Sequence, residues 1–261
     1  MKKITTLAVA FVMAMGMNAQ EVSLKPEFKA NTTYTQTEVQ NNKIAITYEG
    51  ADEPMEQEAP ANVTRTIEVG KLTNNELPFT ITMAVDPNQQ GAEMLNGAKI
   101  LGKVKGGKLA FESVDAPNMP DQVKDMIKSM MEQAFLTTFF PAKKMKVGES
   151  FAIDIPMEIP VGPGISMDMK DVATFRLKKV EGRKAIFDVN HVITLQANVE
   201  GQDMKGSGTG SGEMVYDLDQ NYPVANTATV TMDMGFEAQG MQINMKVTND
   251  TKTTTVITTK K

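Results

Sequence analysis

The sequence has no cysteine and no tryptophan, and its one histidine is His191. Without cysteine there are no disulfides, thiolate metal ligands, cysteine nucleophiles or lipid anchors on cysteine. One histidine excludes a histidine-pair metal site. Aromatic residues make up 6% of the chain, four of them tyrosine. Transmembrane β-barrels carry aromatic girdles at both interfaces, so the composition argues against that class. No GxSxG elbow is present, and no helix follows the one glycine-rich run as a phosphate-binding loop requires. Lys and Arg number 27 against 32 acidic residues, a net charge of −5. Nucleic-acid binders normally carry a basic stripe, so nucleic acid is not an expected partner. No cofactor and no metal site are expected, and the chain is expected not to be an enzyme.

No apolar run reaches the ~20 residues needed to span a membrane. The run Leu7 to Met17 is short, and Lys2 and Lys3 precede it. Asn18-Ala19 then leads into a polar chain at Gln20. This order reads as a signal peptide over 1–19, cut before Gln20. The expectation is an exported protein, periplasmic or secreted, soluble after cleavage. A single β-rich domain is expected over 20–261.

What the chain does have is alternation with period two. Thr32 to Val39, Lys43 to Tyr48, Val63 to Leu72 and Leu77 to Val85 read as strands. Residues 49–61 hold five acids and two prolines with no base, and read as a solvated loop. Lys99 to Lys105 and Lys108 to Val114 flank Gly106-Gly107, a hairpin signal. Past Pro141 the alternation resumes, with Pro156 marking an edge, a bulge or a break. The longest strand puts Ala185, Phe187, Val189, His191, Ile193, Leu195 and Ala197 on one parity. Its length, ~50 Å at about 3.3 Å per residue, suits a curved sheet. The Thr-rich end, 248–261, reads as a final strand with a frayed end.

One segment breaks the pattern. Between Met119 and Phe140, apolar residues recur at helical spacing: Val123, Met126, Ile127, Met130, Ala134, Phe135. Pro120 suits the first turn and Pro141 stops the run. The spacing predicts one amphipathic helix at about 120–140. The fold class expected is mainly β, a long curved antiparallel sheet or half-barrel wrapped around that helix.

Gly206, Gly208, Gly210 and Gly212 alternate with Ser207, Thr209 and Ser211. A flexible linker is one reading. Strict period two favours a strand with one bare face, which lets the helix approach or the sheet bend. His191 reads as a partly buried histidine held by one hydrogen bond, with a polar handle in a cavity as the alternative. Asp217 to Asn221 begins like a calcium loop, but Tyr222 and Ala228 occupy the positions needing Gly and Glu. It reads as a polar turn. Met167/Met169 and Met232/Met234 put paired thioethers on one face. Thioethers suit Cu(I), but these pairs share the parity of Ile, Val and Phe, so core or cavity lining is the leading reading.

The Asn18-Ala19-Gln20 ending, the acidic segment and the hairpin before a single Met-rich helix occur with FFPAKKMKVGESF, GRKAIFDV and GSGTGSGEMVYDLDQNYPV. Together they resemble an uncharacterised family of exported proteins from Bacteroides-like bacteria. At the level of fold the order of elements is similar to the half-barrel lipoprotein-carrier proteins. That similarity implies a bent sheet around a helix, with an acyl chain or other apolar ligand between them. The expected function is therefore a non-enzymatic binding or carrier protein of the cell envelope, with an apolar small molecule or lipid as partner. The alternative is a structural or adaptor protein with a filled core. Candidate ligand-binding residues are Met126, Met130, Phe135 and Phe139 on the helical segment, and Phe187, His191, Met232 and Met234 on the sheet.

Overall fold

A computed structural model describes residues 21–260, apart from 51–52, 90, 107, 118, 137, 163–164, 200–201 and 239–240. The signal-peptide expectation falls on residues outside those described. After a short strand β1 (Glu21–Leu24), five strands form a first meander. These are β2 (Thr32–Tyr48), β3 (Met55–Val69), β4 (Glu76–Val85), β5 (Lys99–Lys105) and β6 (Lys108–Asp115), with a four-residue helix α1 (Ala92–Leu95) before β5. Helix α2 (Asp121–Ala134) and strand β7 (Lys143–Lys146) lead to a second meander. It comprises β8 (Ser150–Gly162), β9 (Ile165–Glu181), β10 (Lys184–Val199), β11 (Gln202–Asp217), β12 (Tyr222–Ala238) and β13 (Met241–Thr259).

The two meanders join into one eleven-stranded antiparallel sheet, because β13 pairs with β2 along its whole length. The order is β6-β5-β4-β3-β2-β13-β12-β11-β10-β9-β8, and β1 pairs with β7 in a separate ribbon. The sheet is not closed. Its edges are β6 and β8, and α2 touches both. The chain leaves one edge, crosses the opening as a helix, and re-enters at the other edge. The expected curved sheet around an amphipathic helix is the observed architecture.

Strand twist curls a sheet this wide, and the glycines of β11 sharpen the curl. The alternating run lies inside β11, which removes the linker reading. A Cβ on Gly208 would sit 2.6 Å from Met232 Cγ and 2.7 Å from the Thr231 carbonyl oxygen. A Cβ on Gly210 would sit 2.6 Å from Val230 Cγ2. The element closing over the bare face is thus the neighbouring strand β12, not the helix. Strands β10 and β12, on either side of β11, approach within 8 Å between Cα atoms. A flat sheet would hold them at about 9.6 Å, twice the strand spacing.

Several expectations change. The helix is 14 residues long and stops at Ala134. The β-branched Thr137-Thr138 pair is a poor helix continuation, and the next two rings go to different cores. Phe139 packs on Phe28 and Tyr222, Phe140 on Phe151 and Tyr216. The inward row of α2 is Val123, Ile127, Met131 and Phe135, spaced by four. Met130 falls outside it and is 50% exposed. The acidic segment is not all loop, since β3 begins at Met55 and pairs with β2. Backbone hydrogen bonds, rather than a buried face, hold it there. Strand β4 pairs with β3 only from Val63 on, so this part of β3 is a free edge that tolerates Pro60 and exposed acids. The C-terminal end is not frayed: Thr259 pairs with Thr32, and the Lys260 N–H donates to the Asn31 carbonyl at 2.8 Å. Pro156 does lie on an edge strand, β8.

Two apolar cores result. One packs β2–β6, α2 and Phe28, with Tyr222 from β12. Phe28 is its hub, with ring centroids 4.7 Å from Phe139, 5.2 Å from Tyr34 and 5.5 Å from Phe79. The other packs β8–β11 with β1 and β7 and is centred on Phe175, Phe187 and Tyr216. Phenol oxygens pin the segment after β1: Tyr216 and Tyr34 accept from the Lys25 and Lys29 backbone N–H groups at 3.3 and 2.8 Å.

Candidate functional site

A cavity of about 350 Å³ lies where the two cores meet, between α2 and the concave face of the sheet. Its roof is Met131 and Phe135 of α2, with Thr138 just beyond the helix. One wall is apolar: Phe175 on β9, Val189 on β10 and Met214 on β11. The opposite wall is polar: Gln36 and Glu38 on β2, Arg65 on β3, and Thr251, Thr253 and Thr255 on β13. Register explains how distant segments share this space. Val63, Glu38, Thr253, Asn226, Met214 and Phe187 form one row across six strands. Side chains in such a row point the same way, and here that way is inward.

Both walls carry charged groups, each already engaged. Arg65 Nη1 donates to Glu38 Oε2 at 2.7 Å, with side chains only 21% and 13% exposed. Glu38 Oε1 also accepts from Gln40. Arg65 Nε is buried and has no hydrogen-bond partner. His191, on the inner row of β10, lies 2.8 Å through Nδ1 from Asp171 Oδ2. A carboxylate only accepts, so Nδ1 carries the proton. The expectation of a histidine held by one hydrogen bond describes this arrangement. Asp171 Oδ1 is buried without a partner. Gln36 donates to the Tyr222 hydroxyl at 3.1 Å, and burial raises the pKa of that phenol.

The structure brings only some of the sequence-marked residues together. Phe135 and His191 line the cavity. Phe187 is fully buried directly beside Met214, in the wall behind it. Phe139 packs in the aromatic core, and Met126 and Met130 are not among the cavity's described lining residues. Met232 and Met234 lie further along the strands, over Gly208 and Gly206. Met234 faces Met245 and Met169 faces Met157 across neighbouring strands, in a half-buried thioether face. Among the described residues no group of three or more His, Cys, Asp or Glu side chains could hold a metal ion. No helix among them is long and apolar enough to cross a membrane.

Arg65, Glu38 and Asp171 escaped the sequence reading, although a signal existed. Arg65 interrupts the inward parity Val63, Ile67, Val69, and Asp171 interrupts Met169, Ala173, Phe175. A lone charge on an apolar parity faces inward and must find a partner or a ligand. The Asp217 turn is as expected, with Oδ1 accepting from the Asp219 and Gln220 N–H groups at 2.9 Å each.

Residues 117–222 match a protein family described as a family of unknown function, DUF6263. The expectation of an uncharacterised family agrees with that match. No curated protein matches the chain. The matched stretch holds α2 and the apolar wall, while Arg65, Glu38, Gln36 and the β13 threonines lie outside it.

Proposed function

We propose that this chain is an exported, non-enzymatic binding or carrier protein of the cell envelope, whose ligand is an apolar or amphiphilic small molecule held between α2 and the sheet. The observation that carries this reading is the cavity. A protein acting only through its surface needs no internal volume at that place. The volume of about 350 Å³ falls in the ~300–1,000 Å³ range of small-molecule sites. The Met131, Phe135 and Met214 side chains suit an apolar body of variable shape, since thioethers re-pack readily. The non-enzymatic part rests on chemistry. His191 Nδ1 is engaged by Asp171 at 2.8 Å, and the sequence carries no GxSxG elbow to present a serine to that pair.

The test is native mass spectrometry of protein released from its own envelope, beside a Thr253→Phe variant. Thr253 lines the cavity from a partly exposed strand position, and an aromatic ring there suits a strand. Substitution at Phe135 would instead break the aromatic core. Wild type should carry an added small molecule that Thr253→Phe lacks while keeping its melting temperature. An empty wild type in every preparation, or a variant that keeps the added mass, overturns the reading.

A further inference from the structure

We infer that the cavity selects an uncharged amphiphile with an oxygen-bearing head, of the acylglycerol type, and excludes the carboxylate of a free fatty acid. This rests on the carrier reading and deepens it. The two walls sort the ligand's ends: acyl carbon against Phe175, Val189, Met214 and the α2 roof, and head group against Arg65 and the β13 threonines.

The charge of the head follows from what the wall already holds. An apolar tunnel with a free arginine would recognise a fatty-acid anion through a bidentate pair. Here Arg65 is taken by Glu38 at 2.7 Å. The other ionisable nitrogen base of the cavity, His191, is taken by Asp171 at 2.8 Å. Each potential cation therefore comes with its own carboxylate. A third carboxylate would lose its water, meet no uncompensated cation and lie beside Glu38, so its binding is disfavoured relative to an uncharged head. What the wall leaves unfilled is neutral. The Thr253 and Thr255 hydroxyls and the Asn226 amide line the same space, and each can both donate and accept. An ester carbonyl oxygen can accept from the threonine hydroxyls or the Asn226 amide, while glycerol hydroxyls exchange hydrogen bonds with the same groups. No other charged group lines the cavity among the described residues.

The test compares monolauroylglycerol with laurate, which share one acyl chain, by isothermal titration at mildly alkaline pH below micelle-forming concentration. The wild-type chain should bind the acylglycerol at least about tenfold tighter, a difference of ~1.4 kcal/mol. Glu38→Gln keeps an acceptor for Arg65 but removes the excluding charge, so laurate affinity should rise by about tenfold. Laurate bound as tightly as the acylglycerol by wild type overturns the inference and leaves the carrier reading intact. Laurate affinity unchanged in a folded Glu38→Gln overturns the role of Glu38. Should that variant fail to fold, the wild-type ratio still decides. If wild type binds neither molecule, the carrier reading fails and this inference with it.

Discussion

The inner face of the sheet changes character along the same strands. Near the helix it is fully buried: Tyr34 on β2, Phe187 on β10 and Tyr216 on β11 have no exposed surface. Towards the opposite end the same faces carry Ile44 and Ile46, Met232 and Met234, Met245 and Val247, all half-buried. Both regions carry large apolar side chains on the inward parity of the same strands. The difference lies in what stands opposite. Near the helix, α2, Phe28 and the β1–β7 ribbon cover the face. At the far end the face is covered only by the sheet's own curl, with β12 folded over the β11 glycines. Between the two lies the polar-walled cavity. A β-face is thus defined twice, once by its parity and once by a remote covering element, and only the first is local.

The contrast can be broken by cutting large side chains at each end. Phe187→Ala, in the covered region, should cost ~3–5 kcal/mol, transfer and cavity terms together. Met234→Ala, in the open region, should cost ~1 kcal/mol or less. Urea midpoints at unchanged slope measure both. Equal losses would mean that the far end is as well packed as the near one.

A smaller effect tests the crease. Gly208→Val places carbon where Met232 Cγ and the Thr231 carbonyl now lie, each under 3 Å from the new Cβ. The side chain can swing away but the carbonyl cannot, so the substitution should destabilise by ~1–3 kcal/mol through overpacking. Ser207→Val, whose side chain is exposed on the other face of the same strand, is the matched control and should be near neutral. A Gly208→Val chain as stable as its control would show that the close approach of β12 is not required.

Much of this architecture was legible because period two is a strong local signal. The β5–β6 hairpin, the long β10 row and the glycine strand follow from parity alone, and the Gly106 turn takes the positive φ of 58° that its position demands. The start of β3 was not legible. Met55 to Ala61 is acidic and Pro-containing, and it is a strand only because β2 offers it a backbone ladder. The C-terminal strand looked free because nothing in its Thr-rich pattern shows that β2 and β12 flank it on both sides. For the site, Phe135 and His191 were readable from their periodic positions. Arg65 and Glu38 were not, because their meeting depends on the β2–β3 register and their enclosure on a helix more than fifty residues away. Met130 was misplaced because helical spacing leaves the inward row uncertain by one position, and the four-spaced row through Ile127 and Met131 is the one that meets the core.

The most direct test of a ligand held between the covered and open regions is amide hydrogen exchange with and without monolauroylglycerol. Bound ligand stabilises the segments it touches and slows their local opening. Exchange should slow at Val189, at Asn226, along Thr251 to Thr255 and in α2, with Ile44 to Tyr48 and Ile243 to Val247 unchanged. Protection confined to that far end, or none at a concentration that saturates binding, would contradict a ligand site beneath the helix.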